Sequence, residues 1–124
     1  MKKVILSHKA PAPIGPYSQA VEANGFIFCS GQIPLDASGQ VVTGDIKVQT
    51  EQIMKNIEAV LFAAGVDFKY VVKTNIFLTD MKDFAVVNEV YGRYFPEKPP
   101  ARSTVAVAGL PKGVQVEIEV TAIK

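Results

Sequence analysis

The spacing of apolar positions divides the chain into strands and helices before any chemistry is considered. Val4-Ile5-Leu6 is a short apolar run that predicts an edge strand. Residues 10–16 carry three prolines and a glycine, which makes this stretch irregular and poor in N–H donors. Asn24-Gly25 is a tight-turn signal, and Phe26-Ile27-Phe28-Cys29-Ser30 behind it reads as a short, largely buried strand. Gly31-Gln32-Ile33-Pro34 ends that strand, and Asp36-Ala37-Ser38-Gly39 makes another turn.

From Asp45 to Ala64 the period becomes helical. Ile46, Ile53, Ile57, Val60 and Leu61 fall near one face and Ala64 extends it, while Lys47, Gln49, Glu51, Lys55 and Glu58 mostly lie elsewhere. Thr43 or Asp45 can cap its start, and Gly65 follows as a C′ residue would. Tyr70 to Thr79 predicts a strand with Val72, Thr74, Ile76 and Leu78 opposite Lys73 and Asn75. A second helix spans about 82–95, with Phe84, Val87, Tyr91 and Tyr94 at helical spacing, and Pro96, Pro99 and Pro100 forbid its continuation. The chain closes on two strands around Gly109-Leu110-Pro111-Lys112-Gly113, read as a hairpin. The order predicts an α+β fold, a mixed sheet with two helices on one face, in one domain over residues 1–124.

Composition narrows the function classes. Thirteen basic and twelve acidic residues give a net charge of +1, spread without runs, which argues against nucleic acid or a membrane surface as partner. Cys29 is the single cysteine, so no intramolecular disulfide forms; this suits a reducing compartment. The apolar run near the start is too short for a signal peptide, and no segment is long enough to span a membrane. A soluble, cytoplasmic protein is expected.

Candidate chemistry concentrates at the end. In the last strand Val114, Val116, Ile118 and Val120 share one face, and Gln115, Glu117, Glu119 and Thr121 share the other. The second face is either solvated or lines a subunit interface with a glutamate in a pocket. If the hairpin pairs Ala108 with Gly113, Thr104 opposes Glu117 and Arg102 opposes Glu119 on one face; a shift of one residue turns Arg102 away. The sequence leaves that register open. The lone histidine, His8, sits near a terminus, so Ser-His-Asp and Cys-His sites have no support. There is no His/Cys cluster for a metal and no glycine-rich nucleotide loop, and Cys29 reads as a small buried hydrophobe.

Several short motifs then combine in order and spacing. Ile14-Gly15-Pro16-Tyr17-Ser18-Gln19, Ser30-Gly31-Gln32-Ile33-Pro34, Asn88-Glu89-Val90-Tyr91, Pro100-Ala101-Arg102-Ser103, Leu110-Pro111 and Val116-Glu117-Ile118-Glu119 resemble, over essentially the whole chain, the RidA family, also called YjgF or L-PSP. The resemblance implies a chorismate-mutase-like fold assembled as a homotrimer, with a central β-barrel and three ligand clefts between subunits. It implies hydrolysis of reactive 2-imino and enamine acids, such as 2-aminoacrylate and 2-iminobutyrate, to 2-keto acids and ammonia. By the same resemblance Arg102 grips the substrate carboxylate and Glu117 positions and activates water, with Tyr17, Ser30, Gly31, Asn88 and Thr104 as substrate-binding residues. No metal or organic cofactor is implied. Thr104 stands where many relatives carry a cysteine, which puts any thiol-based role in doubt. The alternative is a non-catalytic metabolite-binding or regulatory protein that uses the same cleft, with a protein partner. RNA cleavage, another family-level name, is weakest given the charge and the absence of a catalytic histidine.

Overall fold

A computed structural model describes residues 1–124. The strands are β1 (Lys3–Ile5), β2 (Ala20–Ala23), β3 (Phe26–Cys29), β4 (Val71–Leu78), β5 (Ala101–Ala106) and β6 (Val116–Ile123), and the helices are α1 (Ile46–Ala63) and α2 (Phe84–Gly92). They form an α+β fold with one mixed sheet in the order β1-β2-β3-β6-β4-β5. Every pairing is antiparallel except β4 with β5. Both helices pack on one face of the sheet, where Ile53, Ile57 and Leu61 of α1 and Val87 and Tyr91 of α2 join Ile27, Ile76, Leu78, Val116 and Ile118 in the main core.

Local chemistry explains most boundaries. Asp45 caps α1 by accepting the Val48 N–H at 3.0 Å, and Gly65 follows the helix at φ +83°, a conformation that costs glycine little. The Asn24-Gly25 turn has φ +51° and +82°, the left-handed pair a two-residue hairpin requires, and it joins β3 to β2. The sequence reading assigned no strand to β2, since Ala20-Val21-Glu22-Ala23 is too short for its alternation to stand out. The second helix is shorter than expected. Residues 81–83 form a 3-10 turn capped by Asp80, and after Gly92 the chain tightens again, with Tyr94 N–H bonded to the Tyr91 carbonyl at 3.1 Å.

Two further expectations are corrected. A bulge between Val71 and Lys73 resets the alternation of β4, so Val71 is buried and Val72 is turned outward. Val114 precedes β6 and packs in a small separate cluster with Ile33 and Leu35.

Buried polar side chains tie the irregular segments to this frame. Asn56 of α1 donates to the Leu35 carbonyl at 2.9 Å. Gln19, 2% exposed, accepts the Ser7 N–H at 2.7 Å and donates to the carbonyls of Ser7 and Pro11 at 3.1 and 2.9 Å. Residues 7–11 lack a strand partner there, so these bonds replace sheet pairing. Gln19→Ala is expected to cost about 2–3 kcal/mol of unfolding free energy, measured by urea denaturation, and to speed hydrogen exchange at the Ser7 amide.

Candidate functional site

Arg102 and Thr104 lie on β5, the outer strand next to β4. In the parallel register Arg102 is level with Thr74 and Thr104 with Ile76, both buried beneath the helices, so Arg102 and Thr104 point to the helical side. Along α2, Phe84, Asn88 and Tyr91 recur at the spacing of one helical stripe. That stripe receives the guanidinium. Nη1 donates to Asn88 Oδ1 at 2.7 Å, and the guanidinium carbon lies 5.0 Å from the Tyr91 ring centroid and 5.6 Å from that of Phe84. All these partners are neutral. The ion pairs of the chain join Lys82 to Asp80, Arg93 to Glu51 and Glu89, and Lys124 to Glu22, and none includes Arg102. Beside it, Thr104 Oγ1 is buried without a hydrogen-bond partner.

Glu117 lies on β6 level with Phe77, on the face away from the helices. Glu119, level with Asn75 on that face, accepts the Asn75 Nδ2–H at 3.0 Å. The segment after β3 closes on β6 from the other side: Gln32 N–H donates to the Ile118 carbonyl at 2.8 Å, and Ile118 N–H returns to Gln32 at 3.1 Å. This pairing seats the Glu117 carboxylate directly over Gly31, where any Cβ would overlap it. Burial, with the Glu119 charge as a second cause, pushes the Glu117 carboxyl above the ordinary carboxylate range. Ser30 Oγ donates to the Ser18 carbonyl at 2.6 Å, so its hydroxyl proton is already committed. Tyr17 is half-exposed, and its hydroxyl accepts the Ile14 N–H at 3.2 Å. Tyr17 and Gly31 line a small recess with Pro11, Ile14 and Gln32. Two wider surface grooves include none of these residues.

Residues 7–124 match the family described as Endoribonuclease L-PSP. The chain belongs to this family, also called RidA. Mouse 2-iminobutanoate/2-iminopropanoate deaminase is 50% identical over all of this chain and 93% of its own. A putative regulator, AldR, of Lactococcus lactis is 50% identical over 97% of this chain and 96% of its own. The crystal structure of Escherichia coli TdcF with bound serine superposes with a TM-score of 0.93 at 40% identity, covering 98% of each chain.

In this L-PSP chain the residues singled out from sequence fall into two groups. Arg102, Asn88 and Thr104 gather on the helical side at the sheet edge, whereas Glu117, Gly31, Ser30 and Tyr17 gather around the other face of β6. The expected hairpin does not exist, and neither of its registers applies. β4 lies between β5 and β6, because the α2 crossover returns the chain parallel to β4, and residues 107–115 then carry it past β4 to pair on the far side. Arg102 is level with Thr74, and Thr74 with Val120. The backbones of Arg102 and Glu117 are therefore about 10 Å apart across the sheet and about 10 Å along it, with side chains on opposite faces.

The sequence reading missed the roles of Phe84 and Tyr91 beside Arg102 and of Asn75 beside Glu119. The spacing 84, 88, 91 was a usable signal, but both aromatics read as core. Cys29 is buried, and burial pushes its thiol up to about 12, so it stays protonated. His8 is exposed near the first strand.

The raised Glu117 pKa has a defined effect on stability. The folded state holds this proton more tightly than the unfolded chain, so the group favours folding at low pH, and that contribution is lost as pH rises through the folded pKa. Glu117→Gln is expected to raise the thermal midpoint at pH 7, with the gain vanishing below about pH 4, as read by calorimetry across pH.

Proposed function

We propose that this protein hydrolyses reactive 2-imino and enamine acids to 2-keto acids and ammonia, in clefts completed between copies of the chain. The observation that carries the reading is the state of Arg102. Its guanidinium is held only by neutral groups, with donors to spare and an unpartnered Thr104 hydroxyl beside it. A cation arranged in that way suits a carboxylate, which it meets through two oxygens at once. The mouse relative, whose name states the deaminase activity, and the serine carried by TdcF support a small carboxylate-bearing ligand.

Glu117 supplies the second function. An imine carbon is electrophilic, more so once its nitrogen is protonated, so hydrolysis needs orientation and a proton acceptor more than strong activation. Glu117, its affinity for a proton increased by burial, takes a proton from water as the oxygen bonds to the imine carbon. The resulting carbinolamine loses ammonia and leaves the 2-keto acid, so C=NH and water become C=O and NH₃. Tyr17, Ser30 and the Gly31 backbone shape the Glu117 side, and Asn88 and Thr104 shape the Arg102 side.

A three- or four-carbon acid cannot reach both groups of one protomer at the separation given by the sheet, so a second copy must bring its half-site up. The face away from the helices suits such an assembly, because Phe26, Phe28, Val105 and Ile123 remain between 39% and 47% exposed on it. A chorismate-mutase-like homotrimer, its sheets forming a central barrel, satisfies this requirement, with one such domain per chain. No helix is long and apolar enough to cross a membrane. A cytoplasmic setting suits the single reduced thiol.

The second reading is a metabolite-binding regulator using the same cleft without turnover, possible in view of the relative named as a putative regulator. Keto-acid release from 2-aminoacrylate or 2-iminobutyrate generated in situ separates the two. Turnover is expected with the native chain, background rates with Arg102→Ala, and a loss of about 10²-fold or more with Glu117→Ala, all with the assembly intact by sedimentation. No acceleration by a well-folded assembly overturns the deaminase, and ligand binding that survives Glu117→Ala but not Arg102→Ala then selects the regulator.

A further inference from the structure

We propose that Tyr91 and Phe84 are positioning residues for Arg102, a pair of aromatic walls on α2 that fix the direction of its guanidinium before any ligand arrives. The proposal deepens the anchoring role given to Arg102 above and rests on it.

Arg102 projects from the outermost strand, where no further strand of its own chain confines it. A free arginine there would sample many rotamers and lose that freedom on binding each ligand. Three features of α2 remove the freedom in advance. Asn88 fixes one nitrogen at 2.7 Å, and the two rings stand 5.0 and 5.6 Å from the guanidinium carbon. A ring attracts the cation through its face without occupying the donors that a carboxylate needs, which an acidic partner would do.

Tyr91 is itself fixed. It is 5% exposed, its hydroxyl lies 2.7 Å from Thr74 Oγ1, and Thr74 is fully buried. The Tyr91 ring also packs against Phe95, with centroids 4.7 Å apart. Thr74 is the β4 residue level with Arg102, so one row of the parallel register carries both the cation and the anchor of its ring. A hydroxyl pair buried between helix and sheet adds nothing to packing that a Phe and Val pair would not. Its geometric effect is to set where the ring lies under Arg102.

Two measurements on the full-length assembled protein test this. The first needs no ligand. The chain has two arginines, so side-chain ¹⁵Nε relaxation gives two signals, with the ion-paired, exposed Arg93 as reference. Arg102 is expected to be the more rigid, and to become as mobile as Arg93 in Phe84→Leu and Tyr91→Leu. The second is calorimetric titration with 2-oxobutyrate, together with steady-state deaminase kinetics. Both leucine variants are expected to weaken binding and raise KM about three- to tenfold, with kcat within about threefold. The double variant Tyr91→Phe/Thr74→Val, which keeps the ring but removes the hydroxyl pair that seats it, is expected to bind with an affinity between those of the native chain and Tyr91→Leu.

An Arg102 signal as mobile as that of Arg93 in the native chain overturns the proposal. So does a signal or an affinity unmoved by loss of either ring. If Tyr91→Leu fails to fold, Phe84→Leu, at a half-buried position, decides alone. If the native protein binds no 2-oxobutyrate while the Arg102 signal is rigid and ring-dependent, the carboxylate-anchor reading fails and the positioning stands.

Discussion

The parallel pairing of β4 with β5 is the constraint on which the rest of this molecule depends. A parallel neighbour requires a crossover, and α2 supplies it, packed over the strands it connects. The crossover places Phe84, Asn88 and Tyr91 above the mouth of β5, and β6 pairs on the opposite side of β4. One topological choice therefore gives Arg102 its surroundings and separates it from Glu117. An antiparallel hairpin of the last two strands would have put cation and carboxylate side by side, where they would have neutralised each other. The observed order keeps each available to something else.

The two groups are prepared in opposite ways. Arg102 lies among groups that neither cancel its charge nor use up its donors. Glu117 is placed where ionisation is costly, over a glycine whose missing Cβ makes room for its carboxylate and two residues from another carboxylate. Asn75 holds that neighbouring carboxylate in place, its amide N–H donating to Glu119 Oε1 at 3.0 Å. The cost of burying the Glu117 carboxyl is borne by a core in which Ile76, Leu78, Ile118 and Val116 are essentially inaccessible to solvent.

Where a structural feature depends on neighbours in sequence, it was legible before the fold was known. Asp45 as cap, Gly65 as terminator, the apolar stripe of α1 and the Asn24-Gly25 turn all follow from residues a few positions apart. The alternation of β6 fixed which side Glu117 takes. Features that depend on which strand lies beside which were not legible. Nothing in residues 101–123 says that β4 passes between them, and nothing in residues 70–79 says that a bulge turns Val72 out. The motif residues could be picked out of the sequence, but their division into two faces is a property of the sheet order. Tyr91 shows the same limit: its spacing marks it as core, which it is, and only the register brings Arg102 over its ring.

The neutrality of the Arg102 cage has a further consequence for how the protein responds to acidity. An arginine held by a carboxylate would be released or captured as that carboxylate gained or lost a proton. Asn88 and Phe84 do not titrate, and burial pushes the Tyr91 phenol above its already high range. The setting of the Arg102 guanidinium thus contains no group that changes charge near neutral pH, and the carboxyl that burial makes sensitive to acidity, Glu117, stands on the other face of the sheet.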